Sequence, residues 1–413
     1  MKKIKLHWQI IICMIIGTFL GVFFNTYGSS DSNLYTFIVL LGDVFIRLLK
    51  MMIVPLIFSS IIIGVSSIKD RSKIGRLGFK TFSYYVCTSL IAILIGLFLA
   101  NTIEPGVGAS TIDNTASFDT TTLSSSTSIL DIIKRMIPTN PISSLASGDM
   151  LGIIFFAIFF GIVLSFTEKK YSSTILSLIE SIYQVVMKMT QAIITLAPIG
   201  VLGLMTKAVS NSGLSIFKEL GLYALTIFCG LSIHLFIVLP LILLLIVKVN
   251  PIKHFKAMAS AMVTAFSTSS SSATLPVTIK CVKDNVKASN EVSSFVLPMG
   301  ATINMDGTAL YECAGVLFIA QALGIPLDAS QQFIVVITAL LASIGAAGIP
   351  SAGLVMLFIV TDAVGLNSDS VAIWVGSMLA IDRPLDMFRT MVNITSDSVG
   401  VAVIAKSEGE KLY

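Results

Sequence analysis

The sequence predicts an all-α polytopic membrane protein of eight transmembrane helices and two re-entrant helical hairpins. Three observations predict it. The 413 residues are 55% hydrophobic and only 12% charged, with a mean hydropathy of +0.91, where a soluble domain carries about 25% charge. Apolar runs long enough to cross a bilayer, which takes about 20 residues, recur along the chain. Finally, a polar strip from Ser267 to Ser272, inside AFSTSSSSATLPV, separates two apolar stretches that are each too short to span.

The elements follow in order. Apolar runs lie at 8–25, 36–67, 82–102, 151–166 (extended by 129–150), 173–207, 217–249, 292–321 and 370–405. The opening MKKIKLHWQIIICMIIGTFLGVFF has the charge and apolar character of a signal peptide but no small-residue cleavage site. It is therefore read as a retained first helix. Basic residues orient the chain, because they accumulate on the cytoplasmic side. Lys2, Lys3 and Lys5, then Lys69, Arg71, Lys73 and Arg76, then Lys169 and Lys170, then Lys253 and Lys256 fall at one parity and are predicted cytoplasmic, as are both termini. Loops 26–35 and 103–128 carry no Lys or Arg and fall outside; the second is a flexible Ser/Thr-rich stretch. The net charge of +4 reflects this cytoplasmic excess and does not point to nucleic acid.

Enzymatic chemistry finds little support. Cys13, Cys87, Cys229, Cys281 and Cys313 show no paired spacing and read as small buried hydrophobes. His7, His234 and His254 are scattered, and neither a metal-ligand cluster nor a nucleophile triad can be assembled from them. No nucleotide-binding motif is present. A serine hydrolase within the membrane would need a His or Lys base beside its serine, and none is so placed.

The serine strip is the first functional pointer. Its flanks, about 255–266 and 273–285, are each half a span long, with Lys253 and Lys256 at their start and Lys280, Lys283 and Lys287 at their end. Both ends are then cytoplasmic, so the segment enters and leaves on one side, with the Ser/Thr strip as a non-helical tip. Such backbone is tolerated at membrane depth only where it is buried in protein or lines a wet cavity. A second interrupted segment, LLASIGAAGIPSAGLVMLFIV at Leu340–Val360, lies in a stretch without Lys or Arg between Lys287 and Arg383, so it enters from outside. Each hairpin precedes a polar span: GATINMDGTALYE (Gly300–Glu312) and DRPLDMFRTMVNITSD (Asp382–Asp397). Paired interrupted segments in opposite orientation are the inverted-repeat pattern of secondary transporters, and they mark the binding site.

The two polar spans differ. Asp382, Asp386, Arg389, Asn393 and Asp397 stand at i, i+4, i+7, i+11 and i+15 and share one helical face, with Thr390 on its edge. Each charge costs about 2.5–3.5 kcal/mol at the bilayer midplane, so a row of them is functional. Asn304, Asp306 and Thr308 cannot share a face, and Gly307 weakens the helix, which predicts an unwound segment with free carbonyls for a cation. Four carboxylates (Asp306, Asp382, Asp386, Asp397) against Arg383 and Arg389 leave −2 before Glu312 is counted. An anionic substrate therefore needs accompanying cations. Glu312, a further acid in this region, is the candidate proton carrier. A cation channel would not need the Asp386 and Arg389 pair.

With these motifs in order, together with FIRLLKMMIVPLIF (Phe45–Phe58) and PTNPISSLASGDML (Pro138–Leu151), the sequence resembles the dicarboxylate/amino acid:cation symporter family, the glutamate and aspartate transporters of the excitatory amino acid transporter superfamily. The resemblance implies the substrate site: Arg389 for the side-chain carboxylate, Asp386 for the α-amino group, and Thr308, Thr390, Asn393, Ser269 and Ser271 as polar contacts, with Ile349 and Gly353 at the second tip acting as an extracellular gate. It implies three sodium sites: Tyr85, Thr88, Ser89, Asn304 and Asp306; Gly300, Asn304, Asn393 and Asp397; and Thr302, Met305, Ser343, Ile344 and Ala346. The chain departs from relatives that carry an arginine at the Ser269 or Met387 position, and Arg383 is the residue placed to fill that space. At Glu312 it resembles the mammalian members, in which this glutamate serves proton cotransport.

The same resemblance implies a homotrimer in the cell membrane with an elevator-type glutamate transporter fold. Its scaffold would comprise 1–80 and 129–210. Its transport unit would comprise helix 3 (81–105), helix 6 (211–250), hairpin 1 (251–290), helix 7 (291–322), hairpin 2 (323–368) and helix 8 with the tail (369–413), with 106–128 as the loop between. The implied function is secondary active uptake of L-glutamate and/or L-aspartate with Na+ and H+, without an organic cofactor. A purely proton-coupled glutamate/aspartate or cystine carrier is the alternative.

Overall fold

The structure, a computed structural model, describes residues 6–27, 32–66, 74–109, 137–345, 352–366 and 369–413. The described residues form helices and no strand. In order they are α1 (Leu6–Tyr27), α2 (Asn33–Ser66), α3 (Ile74–Ile103), α4 (Pro141–Ser147), α5 (Met150–Phe166), α6 (Lys169–Ile194), α7 (Ala197–Ser212) and α8 (Ile216–Val247). There follow α9 (Pro251–Thr268), α10 (Ser271–Cys281), α11 (Asn290–Ile303), α12 (Asp306–Ala322), α13 (Ala329–Gly345), α14 (Ala352–Ala363) and α15 (Asp369–Ser407). Several starts are written locally. Asn140 and Asn250 cap α4 and α9 ahead of a proline at the first helical position, and the Ser270 and Ser289 side chains cap α10 and α11. These side chains satisfy amide donors that a helix start leaves open.

Three expectations need correction. The run 173–207 is two helices, α6 and α7, bent by 55° at a break before Pro198. The fourth span is the 17-residue α5, separated from 137–147 by a left-handed Gly148; residues 129–136 of its expected extension lie outside the described set. The hydroxyl strip is mostly helical: α9 runs through Thr268, α10 begins at Ser271, and the reversal takes two residues, Ser269 and Ser270. Among the described residues, three helices are long and apolar enough to cross a bilayer, Trp8–Tyr27, Arg76–Ile103 and Ile216–Val247, with the bent α6–α7 pair as a fourth. The expected seventh and eighth spans fall outside this set because the first is divided at Asn304–Met305 into the shorter α11 and α12, and α15 carries a row of charged and polar residues.

The helices pack in two groups. In one, α1 lies along α7 while α2 packs on α5, α6 and α7. In the other, α3 packs on α8 and α12, and the 39-residue α15 is surrounded by α9, α11, α12 and α14. α9 folds back on α10, and α13 on α14, as two hairpins; residues 346–351, at the second tip, lie outside the described set. The groups meet where α7 touches α15 and where Ser60 Oγ of α2 donates to the Gly345 carbonyl of α13, 2.8 Å.

At one end of the molecule Arg76 and Lys80 of α3 and Lys253 of α9 meet the last residues of the chain. Glu408 accepts from Arg76 and from Lys80 (2.7 Å), both of α3. Glu410 accepts from the Ser289 amide at the start of α11, and the Tyr413 amide donates to the Val286 carbonyl after α10. The Tyr413 hydroxyl meets buried His254 Nδ1 of α9, under Lys253. His254 Nε2 is 2.9 Å from Ser398 Oγ of α15. Residues 408–413 thereby strap five elements together.

Candidate functional site

The polar face of α15 is wholly buried, as its spacing predicted: Asp382, Asp386, Arg389, Thr390, Asn393 and Asp397 all sit inside the helix cluster. Arg389 is the centre of the upper half. Its Nη2 lies 2.7 Å from Asp386 Oδ1 and 3.2 Å from Asp382 Oδ1. Its guanidinium carbon stands 3.9 Å from the centre of the Tyr311 ring on α12, a cation–π stack. Nε and Nη1 have no hydrogen-bond partner among the described residues. The second hairpin lies against this group: a Cβ at Gly353 would stand 2.9 Å from Nη1, so a side chain there would have to displace the end of the guanidinium. Thr390 Oγ1 donates to the Asp386 carbonyl at 2.8 Å. Arg383, half-buried one turn earlier, puts Nη1 3.8 Å from Asp386 Oδ2.

Asn393 joins α15 to the break in the preceding span. Its Oδ1 accepts from the Gly307 amide (2.8 Å), and its Nδ2 lies 3.4 Å from Thr308 Oγ1 and 3.3 Å from Met305 Sδ. The helix is interrupted at Asn304 and Met305, whose non-helical dihedrals separate α11 from α12. The expected unwound segment is therefore present, but it lies before Gly307. That glycine is already helical, and its role is steric: a Cβ there would be 3.0 Å from the Arg389 carbonyl oxygen.

The lower half is built around Asp306 and Asp397. Asp306 Oδ1 accepts from Ser89 (2.7 Å) on α3, and Oδ2 from Ser396 (2.6 Å) on α15. Asn304 Nδ2 donates to Asp397 Oδ1 (2.8 Å) and to Ser396 Oγ (3.1 Å), and Thr88 Oγ1 stands 3.5 Å from Asn304 Oδ1. Tyr85 donates to the Val296 carbonyl at 2.8 Å. A Cβ at Gly300 would lie 2.4 Å from Asp397 Oδ1 and 2.6 Å from the Tyr85 hydroxyl oxygen, so this glycine is the space the carboxylate occupies. The first two expected cation sets thus converge on one buried cluster of carboxylates, amides and hydroxyls from α3, α11, α12 and α15. An oxygen-rich, net-negative setting of this kind suits a hard cation.

The third set is not drawn together to the same degree. Ser343 and Ile344 are buried at the end of α13, with Ser343 Oγ on the Leu340 carbonyl, while Thr302 is exposed and bonds the Met299 carbonyl in its own turn. Ala346 and Ile349 lie outside the described residues. At the first tip, Ser269 is left-handed (φ 52°) and buried, its Oγ without a hydrogen-bond partner, and Ser271 is buried at the start of α10. Glu312 is fully buried on α12 and neither carboxylate oxygen has a hydrogen-bond partner among the described residues.

Three site residues escaped the sequence reading: Ser396, which bonds Asp306 and Asn304, and two more. Tyr311, inside the quoted NMDGTALYE stretch, stacks on Arg389. His234, set aside as scattered, puts Nε2 3.0 Å from Asp306 Oδ2. It opens a π-helical turn, His234–Val238, in α8. Pro240 explains the turn: a proline ring crowds the carbonyl four residues back, and a wider turn relieves this. The one available signal was a lone histidine in the apolar run LSIHLFIVLPL.

A family profile described as the sodium:dicarboxylate symporter family matches residues 6–407. Excitatory amino acid transporter 3 of Mus musculus is 35% identical over 100% of this chain and 87% of its own length. The proton/glutamate-aspartate symporter of Escherichia coli (strain K12) is 34% identical over 99% of this chain and 94% of its own. The proton/sodium-glutamate symport protein of Geobacillus stearothermophilus is 33% identical, covering 99% and 96%.

Proposed function

We propose, from the premise that the chain belongs to the sodium:dicarboxylate symporter family, that it takes up acidic amino acids, L-glutamate and/or L-aspartate, by symport with Na+ and H+. The observation that carries this reading is Arg389. A guanidinium is buried beside two carboxylates, one of its amines is committed to them, and Nε and Nη1 are left for an incoming anion under the second hairpin. A planar fork of this kind captures a carboxylate with two bonds. Asp386 then receives the α-amino group, with Thr308, Thr390, Asn393 and the Ser269–Ser271 tip as polar contacts. Neither an uncharged amino acid nor a dicarboxylate without an amine would use both Arg389 and Asp386.

Sodium is the second substrate. Asp306 with Ser89, Thr88, Tyr85 and Asn304, and Asp397 with Asn304, Asn393 and the Gly300 backbone, form two sites; the carbonyls of Thr302, Met305, Ser343, Ile344 and Ala346 form the third. Cation entry offsets the negative charge of the cluster, and the substrate anion follows. Glu312 carries the proton: its carboxyl is fully buried, its oxygens have no hydrogen-bond partner among the described residues, and it lies on the helix that carries Tyr311 and follows the NMDGT break. Purely proton-driven uptake is the second reading, favoured by the E. coli relative, a proton/glutamate-aspartate symporter.

In this reading α1, α2 and α4–α7 form a scaffold and α3 with α8–α15 a transport unit that carries the site across the membrane. A homotrimer forms through the scaffold, where Leu178, Ile182, Val185 and Met189 make an exposed apolar stripe on α6. Purified protein in liposomes tests the function. Labelled glutamate or aspartate should accumulate under an inward sodium gradient and acidify the lumen. Glu312→Gln should keep substrate exchange and lose the pH dependence of net uptake. Uptake that ignores sodium but follows a proton gradient would select the second reading, and a pH profile unchanged by Glu312→Gln would remove Glu312 from the mechanism.

A further inference from the structure

We propose that Arg383 is the internal counter-ion of the empty site: it neutralises Asp386 when no substrate is present and is displaced by the substrate's ammonium group. The inference rests on the assignment of Asp386 to the α-amino group. Asp386 is held from both sides, Oδ1 by Arg389 at 2.7 Å and Oδ2 by Arg383 at 3.8 Å. The two cations are unequal. The Arg389 side chain is 1% exposed and locked by Asp382, Asp386 and Tyr311. The Arg383 side chain is 29% exposed, and its contact with Asp386 is longer than a hydrogen bond. The pair that can be exchanged is therefore the one with Arg383, which faces Oδ2 and not the Oδ1 that Arg389 holds.

The local chain supports movement there. Pro384 stands inside α15 next to Arg383. A proline has no amide to donate and crowds the carbonyl four residues back, so this turn lacks a backbone hydrogen bond that the turns around Arg389 retain. Arg383 thus sits on the softest turn of the face, at its more exposed end, while Arg389 sits on a rigid one.

The charge balance gives the device its use. Asp306, Asp382, Asp386 and Asp397 against Arg383 and Arg389 leave the empty site at −2; without Arg383 it would be −3. A carrier that returns empty has to take that charge back across a low-dielectric barrier, and each uncompensated unit there is costly. With substrate bound, the ammonium takes over Oδ2 and Arg383 swings toward the wetter end. The residue is therefore needed for the empty return and not for the loaded crossing, and it lowers the affinity of the empty site for sodium.

The test uses full-length wild type, Arg383→Gln and Arg383→Lys. Sodium binding to the substrate-free protein is measured by titration calorimetry, and in proteoliposomes exchange of labelled acidic amino acid is compared with net uptake. Arg383→Gln should bind sodium roughly three- to tenfold more tightly without substrate, keep exchange within about twofold of wild type, and lose net uptake by about tenfold; lysine should restore net uptake. Sodium affinity unchanged in Arg383→Gln would overturn the proposal, whatever the substrate is. So would exchange falling together with net uptake, the mark of a substrate-holding or structural residue. Wild-type protein that neither exchanges nor accumulates acidic amino acids would instead overturn the substrate assignment, and the sodium titration would still decide on Arg383.

Discussion

Arg389 meets two sets of neighbours, Asp386 and Asp382 through Nη2 and the second hairpin at Gly353 through Nη1. Replacing it removes both contacts. Arg389→Ala should abolish measurable binding of acidic substrate in a calorimetric titration, since breaking a buried pair on one side costs about 3–5 kcal/mol. Unchanged affinity for glutamate and aspartate in that variant would sink the assignment. The α15 residues were legible because a helix repeats every 3.6 residues, and a stripe at i, i+4, i+7, i+11 and i+15 in an apolar chain has few other readings. The Asn304–Met305 break was legible because Asn304, Asp306 and Thr308 cannot share a face. His234 was not, because its partner Asp306 is 72 residues away and nothing local to either residue announces the other.

Elements show a different balance. The hydroxyl strip reads as coil by composition, yet α9 and α10 run into it. Ser267 donates to the Val263 carbonyl, Thr264 to Ser260, Thr274 to Ser270 and Thr278 to Thr274. A hydroxyl that bonds back one turn satisfies itself inside a helix, so hydroxyl content alone does not predict where a buried helix stops. The bend between α6 and α7 was missed for the opposite reason: its apolar run is continuous, and Pro198 stands at a helix start, where proline is tolerated. The end of α8 carries a testable strain. Lys248 is left-handed, φ 61°, and closes the helix with its amide on the Leu243 carbonyl. Glycine adopts this conformation without the clash of a Cβ. Lys248→Gly should raise stability by up to about 1 kcal/mol, read as a higher melting temperature in detergent with transport unaltered; a lower melting temperature would show that the lysine side chain has a stabilising contact of its own.

At the scale of the whole molecule, the two packing groups need different surfaces. Leu178 and Val185 on α6 are 60% and 58% exposed in the single chain, in line with Ile182 and Met189. Under the proposed homotrimer, Val185→Arg should give smaller species by light scattering coupled to size exclusion; an assembly that is unchanged by the substitution would make this stripe a lipid-facing surface. The basic end has its own pH signature. Lys80 and Arg76 hold the Glu408 carboxyl below its ordinary range. A carboxylate whose folded value is depressed contributes stability above the unfolded value, about 4.3, and loses it as pH falls through the folded one. Wild type should therefore lose melting temperature in that acidic window more steeply than Glu408→Gln, and parallel curves would show that the pair contributes nothing. The strap formed by residues 408–413 reaches further than this ion pair. It touches α3, α9, α10, α11 and α15 at their basic ends, so these turns share one opening event instead of fraying singly. Amide hydrogen exchange should show it: loosening Tyr413 from His254 would speed exchange at the start of α9 and of α11 together, although the two starts are 39 residues apart in the chain.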